Sequence, residues 1–120
     1  MQGEIPTELA LLTSLNRMNF NKNLLFGTIP LEIYNLTNLV SLWIEDNALS
    51  GTLSTEVGTM PSLTSLDLDN NDFHGTLPTE IGMLADLFEF ELSYNNIDGT
   101  LPTEIQMMTS LDRIGVRWNN

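Results

Sequence analysis

Apolar residues return along this chain at a fixed interval of 24 residues, and polar residues return with them. Leu15, Leu39, Leu63, Leu87 and Leu111 form one apolar column. Three residues on, Met18, Leu42, Leu66, Phe90 and Ile114 form a second, and two further on, Phe20, Ile44, Leu68, Leu92 and Val116 form a third. The last two columns are separated by a single residue. That is strand periodicity, with both side chains of each pair on one face. Short strands are therefore expected over roughly residues 17–19, 41–43, 65–67, 89–91 and 113–115. One strand of this length cannot bury its apolar face. Five stacked side by side, about 4.8 Å apart, make a parallel sheet over a continuous core.

The rest of each 24-residue unit repeats as strictly. Gly3, Gly27, Gly51, Gly75 and Gly99 open the units, followed by Ile5, Ile29, Leu53, Leu77 and Leu101. Next come Pro6, Pro30, Ser54, Pro78 and Pro102, then Glu8, Glu32, Glu56, Glu80 and Glu104. Asn23, Asn47, Asn71, Asn95 and Asn119 stand where each strand ends. A buried Asn amide at such a turn satisfies backbone groups that would otherwise be unpaired, so the Asn column is expected to be buried. Glycine permits a tight bend or close backbone approach, and proline fixes φ beside it. Thr-Glu-Ile then suits the first turn of a short helix. Ser54 in place of proline is expected to loosen its coil, and Gly115 to weaken the last strand. The chain divides into five repeats, 3–26, 27–50, 51–74, 75–98 and 99–120, within a single solenoid over residues 1–120.

The pattern L-x-x-L-x-L-x-x-N-x-L-x-G-x-I/L-P resembles the plant-type leucine-rich repeat, through all five units. The wording "GTLPTEIG" is similar to repeats of plant and algal receptor-like proteins. The resemblance implies an α/β fold: a right-handed leucine-rich-repeat solenoid, or horseshoe. Its parallel β-sheet lines the concave side, and short helical or irregular segments form the convex side. It also implies a second short strand in the L-x-G-x-I-P segment. Family members recognise proteins, peptides or glycans on the concave face and are not enzymes unless joined to another domain. Family ectodomains carry cysteine-bearing caps, and this chain has no cysteine. It is therefore expected to be an uncapped fragment or a minimal product, exposing Leu9, Leu11 and Leu12 at one end and Leu111, Ile114 and Val116 at the other. End fraying or end-to-end self-association should follow. An extracellular or cell-surface setting is favoured by the resemblance alone.

Composition narrows the partner. Asp and Glu number 16 against 4 Lys and Arg, a net charge of −12, which repels phosphate backbones and anionic membranes. No nucleic acid, no membrane contact from this segment and no cofactor are expected. Apolar residues at 42% suffice for a core. Candidate chemistry is thin. "DLDNND" from Asp67 lacks the glycine and glutamate of a calcium loop, having Asp72 and Pro78 there. His74 has no obvious triad partner. Paired carboxylates on an open ladder lack the cleft and pKa contrast of a glycosidase. The Thr28–Thr100 and Thr7–Thr103 columns are explained by the repeat, and glutamates make that side uneven for ice binding. "NLT" makes Asn35 an N-glycosylation acceptor only if the chain is secreted.

The residues between the buried apolar ones should face outward on the concave side. Arg17, Lys22, Arg113 and Arg117, all the cations of the chain, fall on the first and last strands. Between them lie Glu45, Asp46, Asp67, Asp69, Glu89 and Glu91, flanked by Trp43 and Tyr94. Ser41 and Ser93 belong to the same outward set. The expected binding face is Arg17, Trp43, Glu45, Asp67, Asp69, Glu89, Glu91, Tyr94, Arg113 and Arg117, receiving a protein or peptide with a basic segment. The rival readings are a purely structural segment and a weak divalent-cation or glycan surface.

Overall fold

The computed structural model describes all 120 residues. Each coil contributes two strands. Those on the first side are β2 (Arg17–Asn19), β4 (Ser41–Trp43), β6 (Ser65–Asp67), β8 (Glu89–Glu91) and β10 (Arg113–Gly115). They form one parallel sheet in the order β10-β8-β6-β4-β2, paired 24 residues apart, as Ser41↔Ser65 and Leu66↔Phe90 show. All five match the expected spans. The second sheet contains β1 (Gln2–Gly3), β3 (Leu24–Gly27), β5 (Ala48–Gly51), β7 (Asp72–Gly75) and β9 (Asn96–Ile97), in the order β1-β3-β5-β7-β9. It occupies the L-x-G half of the repeat and stops at or before the glycine. The glycines from Gly27 to Gly99 have φ of 76° to 90°, which swings the chain out of the sheet before the proline.

The short helical segments are single 3₁₀ turns of five residues, such as Leu31–Asn35 and Thr79–Met83, rather than α-helices. Each follows an extended proline or serine, and the turn closes by bonds such as Ile33 N–H to the Pro30 carbonyl at 3.0 Å. Five residues are too few for a stable α-helix but close a tighter turn. Ser54 does not loosen its coil: its φ of −70° equals that of Pro78, and its Oγ accepts the Glu56 N–H at 3.2 Å.

Twenty-six buried apolar residues fill the space between the sheets as one cluster. Leu63, Leu68, Leu87, Phe90 and Leu92 are enclosed, and so are Asn71 and Asn95 of the asparagine column. Asn23 and Asn119 of the two end coils are half-buried, and so is Asn47 of the second coil. The core opens at both ends, where Leu11, Leu12, Ile114 and Val116 are exposed while Leu9 and Leu111 are half-buried. Amide exchange is expected to be fastest in the first and fifth coils and slowest in the third. Uniformly slow exchange along the chain would contradict this.

Candidate concave recognition face

The concave sheet brings the expected residues together. Its outward columns run across the coils, so neighbours in a column lie one strand apart. Asp67 is paired in register with Trp43 on one side and Glu91 on the other. Glu45 and Asp69 share the next outward column. Glu45, Asp46, Asp67, Asp69, Asn70 and Tyr94 line an open depression. Arg17 and Arg117 are exposed at the two ends, and Arg113 reaches inward to Glu89 at 3.2 Å.

Hydrogen bonds hold this surface in place. Trp43 Nε1 donates to Ser65 Oγ at 2.7 Å, and that hydroxyl donates to Glu89 Oε2 at 3.1 Å. With Arg113 on the other Glu89 oxygen, one chain of contacts crosses four strands. Asn21 donates to Glu45 Oε1 at 2.6 Å, while Glu45 Oε2 is buried without a partner. Asp67 Oδ1 accepts the Asp69 N–H at 3.1 Å, and Asp69 Oδ1 accepts the Ser93 N–H. Gly115 has its own role: a Cβ there would collide with the Glu91 carboxylate, so the missing side chain makes room for that charge.

Three expectations need correction. Trp43 is half-buried and tethered to Ser65, not a freely exposed ring. Ser41 and Ser93 are buried, only 5% and 6% exposed, because small side chains sink between larger neighbours. The exposed aromatic element is a stacked pair, Tyr94 on Trp118, with ring centroids 6.1 Å apart and planes at 19°. Alternation places Trp118 in the outward set of the last coil with Arg113, Gly115 and Arg117, and the stack makes it an aromatic anchor beside Tyr94. Both rings stand on left-handed backbone, φ 56° and 57°, in a column shared with Lys22, Asp46 and Asn70. Asp and Asn just before the ladder asparagine are the sequence signal for that geometry; bulky aromatics there are uncommon. Asn35 is exposed at the end of its 3₁₀ turn.

Crowding changes the acid–base state of the centre. Burial, joined by repulsion from Glu45, Asp69 and Glu91, pushes the Asp67 carboxyl up to about 7 despite the Asp69 N–H bond that lowers it. Asp69 is raised by burial and by Glu45 and Asp46, against the opposing Ser93 N–H bond. Glu91 is raised by burial and by Asp69 and Glu89, with Arg113 and Arg117 pulling the other way. The sign for stability follows. Between about pH 4, where an unfolded Asp ionises, and pH 7, the folded chain holds more protons than the unfolded one. Stability therefore falls as pH rises through this window. The melting temperature should be higher at pH 5 than at pH 8, and Asp67→Asn should reduce the difference. A lower melting temperature at pH 5 would contradict the assignment.

The Leucine Rich Repeat family profile matches residues 62–84 and 86–108, two consecutive repeat lengths running from the third coil into the fifth. The chain is built of leucine-rich repeats. Among solved structures, this leucine-rich-repeat chain is similar over its whole length to the plant peptide hormone receptor RGFR1 in complex with RGF2, with TM-score 0.98 and 34% identity. It covers 99% of itself on the Arabidopsis receptor kinase HAESA, solved with the peptide hormone IDA and the co-receptor SERK1, at TM-score 0.95 and 28% identity. The BIR2 ectodomain from Arabidopsis thaliana matches 99% of the chain at TM-score 0.86 and 30% identity. The chain spans 19% of RGFR1, 20% of HAESA and 64% of BIR2. No curated protein sequence matches it.

Proposed function

We propose that this leucine-rich-repeat segment is a non-enzymatic recognition module that binds a peptide or protein with a basic segment across its concave face. The observation that carries this reading is the acidic centre of the second, third and fourth coils, bounded by the Tyr94–Trp118 stack and by cations at either end. Such a surface steers a basic segment and repels anions. The binding of peptide hormones by RGFR1 and HAESA supports a peptide as occupant.

Selection from a displayed random peptide library should enrich sequences with central Lys or Arg. With a selected peptide, Asp67→Asn should slow association by roughly two- to tenfold and weaken its salt dependence. Trp43→Ala should raise the dissociation rate. Binding that ignores Trp43, Asp67 and Glu91 but needs the exposed Thr28, Thr52 and Thr76 column would overturn the reading. The exposed apolar ends support a second association, end to end between copies. Its mark is a sedimentation coefficient that rises with concentration, and a strict monomer at all concentrations would refute it.

A further inference from the structure

We propose that the concave centre is a proton-linked recognition surface: empty, it keeps a proton among Asp67, Asp69 and Glu91, and it releases that proton to solvent when a basic segment docks. The inference rests on the recognition reading above and adds how that site is regulated.

The geometry is a staggered set of four carboxylates across three adjacent coils. Asp67 and Glu91 are paired in register on adjacent strands, and Glu45 and Asp69 occupy the neighbouring column. Adjacent strands stand about 4.8 Å apart, so each carboxylate has a like charge within one strand spacing. Everything facing Asp67 can be named. The coil of β4 presents Trp43, Glu45 and Asp46; its own coil presents Ser65 and Asp69; the coil of β8 presents Glu89, Glu91 and Ser93. Of the cations, Arg113 is engaged with Glu89, and Arg113 and Arg117 act on Glu91 from the far side. Nothing positive is bonded to Glu45, Asp67 or Asp69. Their hydrogen bonds use one oxygen of each, and the second Glu45 oxygen is buried without a partner.

A site in that condition lowers its self-repulsion in one of two ways. It holds a proton, or it takes a cation from outside. The two compete, because the ammonium or guanidinium of a docking segment favours the ionised carboxylates that the proton neutralises. Affinity for a basic segment must then rise with pH until the set is fully ionised. The Asp67 carboxyl, pushed up to about 7, places this change between pH 5 and pH 8, and Asp69 is raised in the same direction.

The test uses N-acetyl-trilysine amide, whose ammonium groups remain charged over that range. Titration calorimetry at pH 5, 6, 7 and 8, in pairs of buffers differing in ionisation enthalpy, reads affinity and proton release together. The expected result is binding at least about tenfold tighter at pH 8 than at pH 5, with about one proton released per peptide near pH 6. In Asp67→Asn the pH dependence and the proton release should shrink together. His74 is exposed on the second sheet and is the only histidine, so His74→Ala should retain both in full. Equal affinity at all four pH values, or a dependence that vanishes in His74→Ala, overturns the proton linkage and leaves the recognition reading standing. No binding at any pH overturns both.

Discussion

Replacing Asn71 with alanine is expected to cost about 2–3 kcal/mol, a large share of the stability of a small domain. The side chain serves four backbone groups in two coils. Its Oδ1 accepts the Leu49 N–H at 3.0 Å, and its Nδ2 donates to the carbonyls of Ile44, Leu68 and Asp69 at 3.0, 3.2 and 3.1 Å. All of this is buried. Alanine leaves the Leu49 N–H without an acceptor, which costs about 1–3 kcal/mol, and takes one of two donors from each carbonyl: Ile44 keeps Asn47, Leu68 keeps Asn95 and Asp69 keeps the Asp46 N–H. Water entering the gap recovers part of that. The equivalent Asn119 makes the same pattern at the end of the ladder, half-exposed, where water substitutes freely. Asn119→Ala should therefore cost about 1 kcal/mol or less. Urea denaturation with matched slopes checks both. An unchanged midpoint for Asn71→Ala, or equal losses at the two positions, would contradict the ladder's role.

Gly82→Ala is expected to cost about 1–3 kcal/mol, concentrated in the fifth coil. Gly82 is buried in the Thr79–Met83 turn, where an added Cβ would lie 2.7 Å from the Glu104 Cβ and meet the Glu104 carbonyl. The Thr103–Met107 turn must back away. The fifth coil should yield as a unit. Amide exchange should accelerate over residues 103–118, and the Trp118 emission should change as its stack on Tyr94 loosens, while the second and third coils stay protected. The same column holds Tyr34 in the second coil, whose ring is enclosed and whose hydroxyl is pushed up to about 12 by burial, offset in part by the backbone at Ser54. Side-chain size at this one column thus sets how closely adjacent turns approach. Unchanged exchange in the fifth coil of Gly82→Ala would show that the turns are not in tight contact.

The repeat made most of the coil legible. A strand pair such as Leu66 and Leu68, an Asn three residues on and a Gly four beyond that have one consistent arrangement when repeated every 24 residues, and the strands fall where the periodicity puts them. The concave face was legible in outline for the same reason. Residues alternating with buried leucines must point away from the core. What alternation does not carry is depth. Ser41 and Ser93 alternate correctly and are still buried, and Trp43 alternates correctly and is half-covered, because coverage depends on the neighbours in the adjacent coils.

By itself, the sequence determined the period, the two buried columns of each strand, the asparagine ladder and the separation of charges into basic ends and an acidic centre. These are properties of position within a repeat, and a column's chemistry is written in every fifth of the chain. Only the tertiary structure decided how residues from different coils meet. It placed Tyr94 against Trp118, gave Ser65 to Trp43 and Glu89, laid the Glu91 carboxylate over Gly115, and crowded Asp67 and Asp69 closely enough to raise their carboxyls above the usual range. The physical reason is that such contacts are made across the spacing between strands. That spacing, and the burial it creates, belongs to the stack and not to any single 24-residue unit.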